Sequence, residues 1–348
     1  MQKSFATASN LRRHPCPPFV FLSMFSFPTH FLRLAAPVIL VSLLSACSNP
    51  QNPVRSAGDF SGNGGYSQTA YPIAQPAAYH PGWDVEGEPM FVAASNTPYI
   101  RASSYLLIDA HTGKHLASKN AETARAVAST QKLVTALVVL DVGNLDKPVK
   151  VMASDVKVEP TCLGLRPGEV YTRRHLLYAF LIKSCNDVAN VLARDNAGSI
   201  SAFAAKMNAK ARSLGCSKSN FKNPHGLTAP GQYSTARDMA RIAMAAYRNP
   251  IVRDAVRRQY YTFRKNSGST VTLKSTNNLL GNMPECNGMK TGYTVASGRC
   301  LISTASSRGR DVILVQLGTK TKYIWDDGRL LMSWGLQRAK GGGLTASN

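Results

Sequence analysis

The chain has 348 residues, 44% of them hydrophobic and 17% charged, a globular composition with room for one large domain or two small ones. The formal net charge of +22 suits anionic partners: nucleic acid, anionic lipid or an acidic polymer. No nucleic-acid motif accompanies that charge: there is no zinc-finger spacing, no RNP-type aromatic strand and no run of Lys and Arg alone.

The first 46 residues read as an export signal, with Met24 an alternative start. Lys3, Arg12, Arg13 and Arg33 precede an apolar stretch from Leu34 to Leu44, which is too short for a comfortable membrane span. These four are the only charges before residue 48, so the remainder carries +18. The stretch ends in Leu44-Ser45-Ala46-Cys47, which resembles a bacterial lipobox. That resemblance implies a lipidated Cys47 as the first mature residue; a plain signal peptide with a chance cysteine is the alternative. Two acyl chains would anchor stably, at about 0.8 kcal/mol per buried methylene. From Ser48 to Pro98 there are seven prolines and six glycines and no sustained period, so 47–98 is expected to be a tether.

Structure is expected from residue 99 to residue 340, followed by a flexible tail, 341–348. Two short apolar strands flank Ala110-His111-Thr112-Gly113, a hairpin signal with His111 facing solvent. "STQKLVTALVVLD" is apolar almost all round, as in a buried central helix. "TRRHLLYAFLIKS", with Thr172 as N-cap, "DVANVLARDNAG" and "SAFAAKMNAKARSLG" are helical, the last stopping at Gly215. "STARDMARIAMAAYRN" starts on Thr235 and Asp238, spaced as a capping box. Strands then return in "YYTFRKNSGSTVTLKST", "GMKTGYT" and "RCLISTASSRGRDVILVQLG", before an amphipathic helix in "IWDDGRLLMSWGLQRA". Early strands, middle helices and late strands predict an α+β fold, an antiparallel sheet completed by both ends and packed on a helical cluster.

Three short pieces carry chemistry. In Ser129-Thr130-Gln131-Lys132, serine and lysine share a helix face, and the helix start favours a developing alkoxide. A buried lysine there can take the serine proton. Ser184-Cys185-Asn186 falls where one helix ends and the next begins. Lys290-Thr291-Gly292 lies on a strand, where Gly292 offers a bare surface to a substrate backbone and Lys290 and Thr291 suit a carboxylate. Arg299 falls on the neighbouring strand and is not assigned to the site. The cysteines of the body, Cys162, Cys185, Cys216, Cys286 and Cys300, match no zinc spacing, so neither metal nor cofactor is expected. Their odd number leaves at least one thiol unpaired within the chain.

Ser-x-x-Lys, Ser-x-Asn and Lys-Thr-Gly in this order are the signature of class A β-lactamases and penicillin-binding proteins. With "ASTQKLVTALVVLD", "FKNPHGL", "GQYSTARDMARIA" and "GMKTGYTVASGRCLISTA", the chain resembles the serine-type D-alanyl-D-alanine carboxypeptidases, the low-molecular-mass penicillin-binding proteins, over roughly residues 100 to 337. The resemblance implies a β-lactamase/DD-peptidase-like transpeptidase fold with five antiparallel strands. It implies that Ser129 attacks between two D-alanines of a peptidoglycan stem peptide, with Lys132 as base and Ser184 as proton relay. Asn186 would hold the substrate backbone, Lys290 and Thr291 would bind its terminal carboxylate, and the N–H groups of Ser129 and Tyr293 would bind the oxyanion. β-Lactams would acylate the same serine.

The alternatives are a D,D-endopeptidase, a class A-like β-lactamase, a catalytically dead wall-binding lipoprotein and a cysteine hydrolase using Cys185 with His175 or His225. A class A β-lactamase needs a glutamate on a loop after Ser-x-Asn. Between Asn186 and Lys290 only Glu285 occurs, five residues before the lysine. Cys185 departs from the family, which commonly has glycine there. The family's frequent second β-rich domain and C-terminal anchor helix do not follow "MSWGLQ", so anchoring is expected at Cys47, on an exported protein facing the periplasm or cell wall. Ser48, next to that cysteine, would permit outer-membrane sorting.

Overall fold

A computed structural model describes residues 96–339. The signal segment, Cys47, the tether up to residue 95 and the tail lie outside the described residues. Strands β1 (Ser104–Asp109) and β2 (His115–Lys119) form the expected hairpin. Asp109 closes its turn by accepting the backbone N–H groups of His111 at 3.0 Å and Thr112 at 2.9 Å. His111 does not face solvent: its Nε2 lies 3.3 Å from a carboxylate oxygen of Asp311.

A 3-10 turn, Ala128–Gln131, runs into helix α1 (Lys132–Asp141), whose first eight residues are all buried. Two three-residue strands, β3 (Pro148–Lys150) and β4 (Val170–Thr172), make a small ribbon too short to leave a sequence period. Helices α2 (Arg173–Lys183), α3 (Asn186–Ala197), α4 (Ile200–Ser213) and α5 (Ala236–Arg248) follow. The Thr172 and Thr235 hydroxyls cap α2 and α5. The expected capping box on α5 is half made, because the Asp238 carboxylate turns to Lys218 N–H at 2.8 Å and to the Ser219 hydroxyl at 2.7 Å. The short α6 (Pro250–Val256) leads into a second ribbon, β5 (Tyr260–Arg264) with β6 (Thr270–Lys274). The chain closes with β7 (Cys286–Thr294), β8 (Gly298–Ser307), β9 (Arg310–Thr319) and α7 (Ile324–Leu336).

The main sheet has five strands in the order β2-β1-β9-β8-β7, and every neighbouring pair is antiparallel. β1 pairs with β9 from Ser104↔Leu317 to Asp109↔Val312, so both ends of the described chain build one sheet, as expected. Period-two alternation divides the strand residues between two cores. Leu106, Ile108, Ile313 and Val315 join the helical cluster, while Leu107, Val312 and Leu314 pack with Leu331 and Met332 of α7. β7 is the edge strand on the side of the 3-10 turn, so one backbone edge stays open beside Ser129. The five cysteines among the described residues are all free.

Candidate active site

The site forms where the 3-10 turn, the α2–α3 junction and edge strand β7 meet. Lys132 is fully buried at the start of α1, with its Nζ 2.9 Å from the Ser129 Oγ. Its other partners are Asn186 Oδ1 at 2.7 Å and the His225 carbonyl at 2.6 Å. Burial, and then the charge of nearby Lys290, push the Lys132 amine well below the ordinary lysine value. A neutral amine has two hydrogens and one lone pair. Asn186 and His225 can accept the hydrogens, which leaves the lone pair for the Ser129 hydroxyl.

At the α2–α3 junction, Ser184 ends α2 in a left-handed conformation, φ 69°, and Cys185 is the N-cap of α3. The Ser184 hydroxyl hydrogen-bonds to neither Ser129 nor Lys132, and it has no hydrogen-bond partner among the described residues. Asn186 is held at both ends of its amide: Oδ1 by Lys132, and Nδ2, which donates to the Pro160 carbonyl at 2.5 Å. One Nδ2 hydrogen remains for another acceptor. Cys185 is fully buried, with burial pushing its thiol up to about 12. It is an inert core group at neutral pH.

On β7, Lys290 is buried and burial pushes its amine down to about 7. Its Nζ donates to the Thr291 carbonyl at 3.0 Å, and the Thr291 hydroxyl donates to that of Thr276 at 2.7 Å. Tyr293 is 54% exposed at the rim. Gly292 turns its bare Cα toward the nucleophile's turn. A Cβ there would stand 2.9 Å from Ser129 N, 3.0 Å from Ala128 Cβ and 3.1 Å from Thr130 N. The missing side chain lets the strand backbone press against the nucleophile's turn.

A family model of D-alanyl-D-alanine carboxypeptidases matches residues 91–321. A D-alanyl-D-alanine carboxypeptidase of Mycobacterium tuberculosis is 34% identical over 67% of this chain and 82% of its own length. The chain belongs to the D-alanyl-D-alanine carboxypeptidase family. A D-alanyl-D-alanine endopeptidase of Escherichia coli is 32% identical over 69% of this chain and 79% of its own. The match with a carboxypeptidase of Bacillus subtilis spans 58% of that relative. The crystal structure of a D-alanyl-D-alanine carboxypeptidase from M. tuberculosis superposes with a TM-score of 0.68 at 32% identity, covering 73% of this chain and 98% of that one. The chain is therefore a serine-type peptidase, and the α+β fold expected from its sequence is that of these structures.

Membership in the carboxypeptidase family fits what surrounds Ser129, including groups that no side-chain pattern announced. The His225 backbone carbonyl accepts from the Lys132 amine and lies 3.1 Å from Ser129 Oγ, where it is the alternative acceptor for the hydroxyl hydrogen when the lysine is charged. The available signal was Gly226 in "FKNPHGL": its φ is +90°, and a Cβ there would fall 2.1 Å from the Ala128 carbonyl oxygen. Asp187, also unforeseen, accepts the backbone N–H groups of Leu163 and Gly164 at 3.0 Å and of Leu165 at 3.3 Å. It thereby fastens the segment whose Pro160 and Thr161 carbonyls hold Asn186. Neither histidine serves Cys185. The His175 ring bonds Tyr261 at 2.7 Å and stacks on Phe263, and burial pushes His225 down to about 3. Glu285 uses its backbone carbonyl to pair with Ser306 N–H at 2.9 Å; no carboxylate among the described residues bonds Ser129 or Lys132.

Gly292→Ala tests the backbone contact. The alanine meets main-chain atoms, which cannot swing aside, so Ser129 must move. Acylation by penicillin is expected to fall on the order of 10²-fold, the effect of a misplacement of about 1 Å, while circular dichroism stays unchanged. Acylation at the wild-type rate would show that the turn yields.

Proposed function

We propose that this chain is a serine D-alanyl-D-alanine carboxypeptidase, removing the terminal D-alanine from peptidoglycan stem peptides through an acyl-enzyme on Ser129. The observation that carries this is the buried Lys132 amine, 2.9 Å from Ser129 Oγ and bonded to no carboxylate. Ser129 Oγ attacks the carbonyl carbon of the penultimate D-alanine, and its proton passes to the Lys132 lone pair. The N–H groups of Ser129 and Tyr293 receive the oxyanion, each such donor being worth roughly 10²–10³ in rate. The proton then moves through the Ser184 hydroxyl to the leaving amine as the C–N bond breaks. This role fits a hydroxyl that no group among the described residues engages. Water hydrolyses the ester and frees Ser129. Asn186 Nδ2 holds the substrate backbone, and Lys290 and Thr291, beside Gly292, bind the terminal carboxylate. β-Lactams acylate Ser129 and leave slowly.

Relatives with either activity support a second reading, cleavage of D-Ala-containing cross-links. Mass spectrometry after benzylpenicillin should show a stable adduct on wild type and none on Ser129→Ala. An unlabelled wild type, or rapid turnover without adduct, overturns the assignment. Release of D-alanine from a pentapeptide, compared with cleavage of a cross-linked muropeptide, separates the two peptidases.

The two lysines set the pH dependence. Lys132 must be neutral to act as base, so activity rises as pH climbs through its depressed value. Lys290 must be charged to bind a carboxylate. Its charge is present below about 7 and lost above it in the free enzyme. A bell-shaped kcat/KM is expected for a peptide acid. The falling limb should weaken for the same peptide with its C-terminus amidated. Identical profiles would remove Lys290 from carboxylate binding.

We also place the enzyme outside the cytoplasmic membrane, held by lipid on Cys47. The apolar Leu34–Leu44 stretch, the lipobox-like Leu44-Ser45-Ala46-Cys47 and the Pro/Gly-rich tether support this. Cys47→Ala should move the protein from the membrane to the soluble fraction of cells. Retention in the membrane would argue for another anchor.

A further inference from the structure

We propose that Arg299 reads the third residue of the stem peptide and favours a diamino acid bearing its own free carboxylate over lysine. This rests on the carboxypeptidase reading of the site. The register of β7 with β8 sets Arg299 directly opposite Tyr293. The guanidinium carbon lies 4.5 Å from the centroid of the Tyr293 ring. Its Nε donates to the Thr321 hydroxyl at 3.0 Å. The side chain is therefore held in place before any ligand arrives. It forms no ion pair with a carboxylate among the described residues, and its two outer nitrogens remain able to grip one in a fork.

The direction of the substrate brings its third residue here. A peptide entering at an open sheet edge pairs with it as an added strand. With the terminal carboxylate at Lys290 and Thr291, and the oxyanion at Tyr293 N–H, the peptide runs antiparallel to β7. Residues before the scissile bond then pass the end of that strand, at about 3.3 Å per residue. The groups waiting there are Tyr293, 54% exposed, and Val295, 93% exposed. Their apolar surfaces suit the methylene chain of a diamino acid. The guanidinium beyond the ring suits a carboxylate at the end of that chain; both diamino acids bring an ammonium there, so the carboxylate is the group that discriminates between them.

The test uses two pentapeptides that differ only in their third residue, meso-diaminopimelate or L-lysine. The wild type should prefer the diaminopimelate peptide roughly tenfold in kcat/KM, the scale of one charge-assisted hydrogen bond. Arg299→Gln should abolish most of that preference by lowering turnover of the diaminopimelate peptide alone, and Arg299→Lys should keep part of it. A merely structural role would lower both peptides and penicillin acylation together. Equal wild-type rates on the two peptides, or a preference that Arg299→Gln leaves intact, overturns the proposal. If neither peptide loses D-alanine, the carboxypeptidase reading fails separately. Protection of Ser129 from fluorescent penicillin by each peptide then decides Arg299, with stronger protection by the diaminopimelate peptide expected in wild type and not in Arg299→Gln.

Discussion

The site depends on keeping one amine buried without a carboxylate to neutralise it. Burying an ammonium costs several kcal/mol even after the protein relaxes around it. A carboxylate beside Lys132 would hold the proton on and end its use as a base. Its bonded partners are instead a hydroxyl, a side-chain amide and a backbone carbonyl. Asp187 is near enough to raise the lysine's proton affinity, but its oxygens are occupied by the N–H groups of residues 163–165. Lys290 acts in the opposite direction, as a second positive charge that lowers it. The balance of burial and like charge favours the neutral amine.

A base in the right state still needs a nucleophile held still, and close backbone packing supplies this. Gly292 and Gly226 both crowd the Ala128–Ser129 peptide, with hypothetical Cβ atoms at 2.9 Å and 2.8 Å from Ser129 N. β7 is in turn held by β8 through seven consecutive register pairs from Gly288 to Thr294, and β8 by β9, in the centre of the sheet. The position of Ser129 is thus set by the sheet, while Lys132 and Asn186 begin two helices of the cluster. The antiparallel sheet that both ends of the described chain complete fixes the distance between these parts.

Much of this was legible in the sequence. The hairpin at Ala110–Gly113, the central helix after Ser129 and the strands around Lys290 and Arg308 all carry strong periodicity and turn chemistry. The Ser129, Lys132, Asn186 and Lys290 set was legible because its side chains are chemically distinctive at fixed spacings. The missed parts act through the main chain. The His225 carbonyl has no residue signature, since any residue but its glycine neighbour could supply it. Gly292 was noticed, but spacing along a strand does not say which neighbour fills the space beside it. Asp187 stands in the first turn of α3, and its loop partners lie more than twenty residues upstream, too far for a local pattern to connect them. The β3–β4 ribbon is too short for alternation to be distinguished from chance.

The backbone around Lys132 also shows where the fold gives up stability for function. Ala128 at φ 49° and Ser184 at φ 69° are both non-glycine residues in left-handed conformations. Each such residue costs roughly 1–2 kcal/mol. One precedes the nucleophile and the other is the proposed relay. Glycine at 184 would relieve the strain but remove the hydroxyl, so the strain follows from needing a side chain at a turn this sharp. The next residue, Cys185, carries no such strain. Its φ is −64°, an ordinary extended value, and its side chain points into the helical core rather than into the cleft. The strained backbone falls on Ser184 alone at this junction, and the residue that follows it meets no left-handed constraint.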